Sequence, residues 1–121
     1  MRRREEEYLE AIYIVKLNKG VVRVKDLALM LKVKPSSIVA YLTRLSSKGL
    51  VRYVKGEHIE LTLKGEEMAK RIYHKHLVIR EFLHRVLGLP RDIAEEDACY
   101  IEHGVHDETV KRMEEIISKV K

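Results

Sequence analysis

The 121-residue sequence predicts a mainly α fold with a small β-hairpin wing, a winged helix-turn-helix followed by a helical lobe. Three observations carry that expectation. Apolar residues recur at helical spacing in six stretches. Two short alternating runs around Lys55-Gly56-Glu57-His58 fall between the third and fourth of those stretches. Basic charge is concentrated around the first three helices and the hairpin: from Lys16 to Lys55 there are ten Lys/Arg and one acid, Asp26.

Residues 5–18 predict the first helix, with Leu9, Ile12, Tyr13 and Leu17 on one stripe and Ala11, Ile14 and Val15 widening it. Gly20 suits its C-terminal exit. Val21 to Val24 read as a short strand, and a second helix opens at Asp26 or just before it. Val33-Lys34 is a tight connection. Pro35, with Ser36 and Ser37, starts the third helix, because Pro fits a first turn and Ser fits a cap. Ile38, Leu42 and Leu45 are its inward face, and Gly49 ends it. Leu50–Val54 and Ile59–Leu63 are the two strands of the hairpin. A long fourth helix runs from Lys64-Gly65 to about Leu87, with Met68, Ile72, Ile79, Leu83 and Val86 as its stripe. Gly88-Leu89-Pro90 breaks the pattern. A fifth helix is expected from about Arg91 to Val105, and a sixth capped by Asp107. The expected domains are 1–63, which binds DNA, and 64–121, which is helical.

Composition excludes several classes. No apolar run approaches the ~18 residues of a membrane span. The charged start, Arg2-Arg3-Arg4-Glu5-Glu6-Glu7, has no apolar core of a secretory signal. The lone Cys99 cannot form an internal disulfide and suits a reducing cytoplasm, the expected location. The absence of Gln and the single Asn18, amid abundant charge, fit a heat-adapted source. The net charge of +5 divides unevenly: residues 1–63 carry 13 basic and 7 acidic side chains, and residues 64–121 carry 11 and 12. A basic first half points to a polyanion, and double-stranded DNA is the expected partner.

In a helix-turn-helix the second helix of the pair enters the major groove by its N-terminal end. Here that helix offers Ser36, Ser37, Ala40 and Tyr41 outward, with Lys34 before them and Arg44 and Lys48 beyond. Lys55 lies at the hairpin tip. Ser bonds phosphates or base edges, and Arg and Lys reach phosphates or guanine. The helix contains no Asn or Gln, so it has no bidentate amide for adenine.

The second lobe carries a different chemistry. Cys99, Glu102 and His103 stand at i, i+3 and i+4, on one helical face. Thiolate, carboxylate and imidazole together form a transition-metal ligand set. Glu95 lies one turn earlier. His76 sits beside the apolar stripe of the fourth helix, and Glu7 and Glu10 stand at i, i+3 on the first. Each group has an ordinary alternative: a buried core His, carboxylates favouring a helix N-terminus, a solvated helix face.

These pieces resemble the diphtheria toxin repressor family of metal-dependent regulators, including the short manganese-responsive members. The matching segments are Glu7-Tyr8-Leu9-Glu10-Ala11-Ile12-Tyr13, Pro35-Ser36-Ser37, Leu61-Thr62-Leu63-Lys64-Gly65, Lys75-His76-Leu77 and Asp97-Ala98-Cys99-Tyr100-Ile101-Glu102-His103. They occur in family order over nearly the whole chain. The resemblance implies a winged-helix domain plus a helical dimerisation and metal-binding domain. It implies a homodimer that binds Fe(II) or Mn(II) and then represses metal-homeostasis genes at a DNA operator. It places Glu7, Glu10, His76, Cys99, Glu102 and His103 on ligand positions. Glu10 matches the manganese type and Cys99 the iron type. Arg80 stands where relatives often carry Glu, and Glu95 where iron-type members carry His. The sequence matches the short members, and the SH3-like domain of the longer ones is not expected.

Cys99 shifts the expected preference toward Fe(II), and metal affinity is expected to fall with acid because the ligands must lose their protons. The expected mechanism is relief by the cation of repulsion among Glu7, Glu10 and Glu102, which sets the spacing of two recognition helices in a dimer. The competing class is a metal-independent winged-helix regulator with a redox-sensitive Cys99 or an organic effector. A structural dimerisation module conflicts with the basic first half. An enzyme is not expected: adjacent Glu102 and His103 make poor nucleophile–base geometry, and no Gly-rich phosphate loop is present.

Overall fold

The computed structural model describes residues 2–54, 56 and 58–120. In order these form α1 (Arg3–Lys19), α2 (Val24–Leu31), α3 (Pro35–Ser47), β1 (Val51–Tyr53), β2 (Ile59–Leu61), α4 (Leu63–Glu81), α5 (Arg91–Ile101) and α6 (Asp107–Ile117). A π-helical turn, Phe82–Val86, continues from the end of α4. The chain divides into two compact units, Met1–Lys70 and Arg71–Lys121. No described helix is long and apolar enough to cross a membrane.

In the first unit, Tyr8, Leu9, Ile12 and Val15 of α1 are buried with Leu27 of α2, Ile38, Leu42 and Leu45 of α3, and Leu50, Val51 and Ile59 of the hairpin. The i, i+4, i+7 spacing of the α3 residues places all three on its inward side. Gly20 takes φ 82° and its N–H closes on the Lys16 carbonyl at 2.9 Å, which stops α1. Lys32, at φ 56°, makes the left-handed turn between α2 and α3.

β1 and β2 pair antiparallel, Val51 with Leu61 and Tyr53 with Ile59. The strands are shorter than the sequence suggests, because Leu63 already belongs to α4. The reason is Thr62. Its hydroxyl accepts the Gly65 N–H at 3.1 Å and donates to the Gly49 carbonyl at 2.7 Å. One side chain therefore caps α4 and ties it to the end of α3. The Val21–Val24 strand shrinks to a single bridge, Val22 with Ile59. Asp26 accepts the Arg23 N–H at 2.9 Å and so starts α2 at Val24. No side chain caps α3, whose N-cap is Lys34.

The second unit has its own core. Val78, Ile79, Leu83, Ala94, Ala98 and Val110 are buried, with Phe82, Ile101, Val105, Met113 and Ile117 against them. The π-helical turn closes with Leu87 N–H on the Phe82 carbonyl, and Gly88 at φ 74° ends it. α5 stops at Ile101 rather than Val105. The Gly104 N–H turns in to the Ile101 carbonyl at 3.0 Å, and Val105 packs against the core instead of extending the helix. α6 begins at Asp107 with His106 as its N-cap, and the Asp107 carboxylate pairs with Lys75 at 2.8 Å rather than capping.

Candidate functional site

The DNA-facing candidates gather on one helix of the first unit. Lys34, Ser36, Ser37, Ala40, Arg44 and Lys48 are all exposed along α3 and its two caps. Tyr41 is half-buried: its ring stacks on Tyr8 of α1 with centroids 4.3 Å apart, and the Arg44 guanidinium lies 5.0 Å from its centroid. The Lys48 ammonium pairs with the buried Glu5 carboxylate of α1. That hydrogen bond, against the opposing effect of desolvation, holds the Glu5 carboxyl below its ordinary range. Lys55 lies outside the described residues. The sequence reading did not identify Glu5 and Tyr8 as supports of α3. Only three-dimensional proximity pairs them with Lys48 and Tyr41, and their spacing carries no signal.

The metal candidates of α1 are Glu10, which is buried, and Glu7, which is half-buried and salt-bridged to Arg3 at 3.1 Å. Those of the second unit converge. His76 projects from α4 and is buried. Its Nδ1 lies 3.9 Å from Cys99 Sγ and 3.6 Å from Glu102 Oε1. Glu102 Oε1 is also 3.4 Å from His103 Nε2. Glu102 is the C-cap of α5 and keeps helical backbone angles, φ −56° and ψ −30°, so the i, i+3 relation to Cys99 survives the early end of the helix. His103 lies just beyond, in the turn. Cys99 is exposed on α5. Glu95 is half exposed, and its two oxygens meet His76 Nε2 at 2.9 Å and Arg80 Nη1 at 3.4 Å.

Glu102 tests whether this cluster fits a cation. Its side chain is 1% exposed, and neither carboxylate oxygen accepts a hydrogen bond among the described residues. A buried carboxylate without hydrogen bonds is costly unless a positive charge meets it. The imidazoles of His76 and His103 flank it at 3.6 and 3.4 Å, and the Cys99 thiol lies 3.9 Å from His76; imidazole, carboxylate and thiolate are all transition-metal donors. The donors therefore fit a divalent transition metal. The same neighbours shift the imidazole of His76 toward its charged form. Burial opposes its protonation, but Cys99, Glu102 and Glu95 outweigh burial and push it up to about 11.

An outward-facing α3 with basic caps beside a paired hairpin, with a buried carboxylate–imidazole pair next to an exposed thiol in a separate helical unit, defines a metal-responsive DNA-binding transcriptional regulator. Residues 1–59 match the N-terminal DNA binding domain of iron dependent repressors, and residues 62–121 match the metal binding and dimerisation domain. The chain belongs to the iron dependent repressor family. It is 39% identical over 117 residues to an HTH-type transcriptional regulator of Methanocaldococcus jannaschii, covering 96% of this chain and 94% of that one. It is 33% identical over 112 residues to the regulator MntR of Lysinibacillus sphaericus, covering 93% of this chain and 80% of that one. Among solved structures it resembles IdeR of T. acidophilum (TM-score 0.83, 30% identity, 93% of this chain). It also resembles a manganese-dependent transcriptional repressor in complex with manganese (TM-score 0.86, 26% identity, 94% of this chain). The chain spans about half the length of these two, 53% and 52%.

Proposed function

We propose that this chain is a homodimeric repressor that binds an operator in response to Fe(II) or Mn(II) and so controls metal-homeostasis genes. The observation that carries the metal reading is the buried Glu102 carboxylate, without hydrogen bonds and flanked by His76 and His103. The proposed ligands are His76, Cys99, Glu102 and His103, supported by the approach of His76 to Glu102 and Cys99 and of His103 to Glu102, together with Glu7 and Glu10 on the resemblance. A divalent cation held there would supply the positive charge that offsets the Glu102 carboxylate. Cys99 favours Fe(II) over Mn(II), since a thiolate is a softer donor than a carboxylate. Ser36, Ser37 and Ala40 meet base edges, while Lys34, Arg44 and Lys48 hold the phosphate backbone. Regulation rather than catalysis is the proposed role, as the printed names of its relatives are those of transcriptional regulators.

The test is DNA binding to the gene's own upstream region, first in chelated buffer and then with anaerobic Fe(II) or with Mn(II). Binding that appears only with metal supports this reading, and the dose response ranks the two ions. Equal binding with and without metal overturns it. The exposed Cys99 as a redox-sensitive group then becomes the better reading.

A further inference from the structure

His76 has two ring nitrogens, and the structure gives them different neighbours. Nδ1 faces Cys99 Sγ at 3.9 Å and Glu102 Oε1 at 3.6 Å. Nε2, on the far edge of the ring, meets Glu95 Oε1 at 2.9 Å. The other oxygen of Glu95 meets Arg80 Nη1 at 3.4 Å. Arg80 and His76 stand one turn apart on α4, so one face of that helix presents both partners of Glu95. As a donor, Glu95 falls with His76 and Cys99 in a potential three-residue metal set. Its contacts favour another role.

We propose that Glu95 is a positioning residue for the metal site: held by Arg80, it accepts the Nε2–H of His76 and aims the Nδ1 lone pair at Cys99 and Glu102. This rests on the metal-binding reading above and assigns part of the site's mechanism. The tautomer follows from proton bookkeeping. An imidazole that ligates through Nδ1 keeps its proton on Nε2, and that proton needs an acceptor in a buried setting. Glu95 is that acceptor. An ion placed on Nε2 instead would displace this proton and stand beside the Arg80 guanidinium, like charge against like. Arg80 therefore does what a second cation would do for Glu95, and the second unit's donors serve one ion per chain. Outer partners of ligating imidazoles contribute roughly 10- to 100-fold in metal affinity.

Co(II) titration of the full chain tests this, because a thiolate–Co(II) charge-transfer band reports Cys99 ligation and its end point gives the stoichiometry. The expected result for the unaltered chain is one Co(II) per chain. Glu95→Ala should weaken affinity about 10- to 100-fold, with the ligand-field and charge-transfer bands unchanged at saturation. Glu95→Gln, which keeps an oxygen acceptor in the same place, should recover most of that loss. Two ions per unaltered chain falling to one in Glu95→Ala would overturn the proposal, as would a changed ligand-field spectrum at saturation. Unaltered affinity in Glu95→Ala would overturn it equally. If the unaltered chain shows no thiolate–Co(II) band, and Cys99→Ser behaves identically, the metal-site reading itself fails, and the role of Glu95 fails with it.

Discussion

The ring of Tyr8 stacks on the ring of Tyr41, with centroids 4.3 Å and planes 15° apart. Tyr8 follows Glu7 on α1, and Tyr41 stands in the middle of α3, the helix proposed to read DNA. The Arg44 guanidinium lies 5.0 Å from the centroid of the Tyr41 ring. The Lys48–Glu5 pair joins the same two helices a turn further along. Within the first unit, α1 and α3 are therefore tied at two points, and a shift of one carries the other.

Replacing Tyr41 by Leu should remove the stack and the cation–π contact while keeping an apolar side chain. The expected loss is about 1–2 kcal/mol, the usual worth of an aromatic pair plus an exposed cation–π contact. Urea denaturation measures it. Unchanged stability would show that the stack is incidental.

Arg44→Ala should weaken operator binding and lower the dependence of log affinity on log salt by about one unit, as expected for a lost phosphate contact. Fluorescence anisotropy over a salt series reads both quantities. An unchanged slope with relaxed sequence preference would instead place Arg44 on a base.

Glu102→Gln should abolish metal-stimulated DNA binding without unfolding the chain. The amide keeps the volume of the buried carboxylate and removes the charge that a cation would meet. Metal-dependent anisotropy and a thermal melt, run on the same preparation, separate the two effects. Surviving stimulation would exclude Glu102 as a ligand.

Gly65→Ala should destabilise the first unit by about 3 kcal/mol, at the upper end of what overpacking costs. A Cβ at Gly65 would stand 1.9 Å from the Leu50 carbonyl oxygen, so the start of α4 could not approach the start of the hairpin. Chemical denaturation gives the value, and an unaffected midpoint would mean that α4 shifts freely.

Asp26 should confer stability that depends on pH. Its carboxyl is held below the ordinary carboxylate range by the Lys19 ammonium at 2.6 Å, against some desolvation, and by the Arg23 N–H. A depressed folded-state pKa stabilises the native state above the unfolded pKa of about 3.9. That contribution is lost as pH falls through the lower, folded value. The margin of the native chain over Asp26→Asn should be about 1 kcal/mol at pH 6, typical of a helix cap, and vanish in stronger acid. Paired melts across that range check it, and a margin independent of pH would contradict the assignment.

Much of the fold and part of the site were legible beforehand. The helical stripe of Ile38, Leu42 and Leu45, the alternating runs about Gly56 and the break at Gly88-Leu89-Pro90 each mark an element by local periodicity. Element ends were less legible. α5 ends at Ile101 because Val105 is drawn into the core, and β2 ends early because the Thr62 hydroxyl claims Gly65 and Gly49. Both depend on contacts between residues distant along the chain.

The sequence alone determined the order of helices and hairpin, the basic character of α3 with its caps, and the thiol–carboxylate–imidazole chemistry of Cys99, Glu102 and His103. These follow from side-chain type and helical period, which are local properties. Tertiary structure alone decided that Glu5 and Tyr8 support Lys48 and Tyr41. It also decided that Glu102 is buried without hydrogen bonds among the described residues, and that Arg80 and Glu95 meet at the outer edge of His76. Such pairings arise where separate helices pack, and hydrogen bonds and burial at those junctions depend on positions in space that no spacing along the chain encodes.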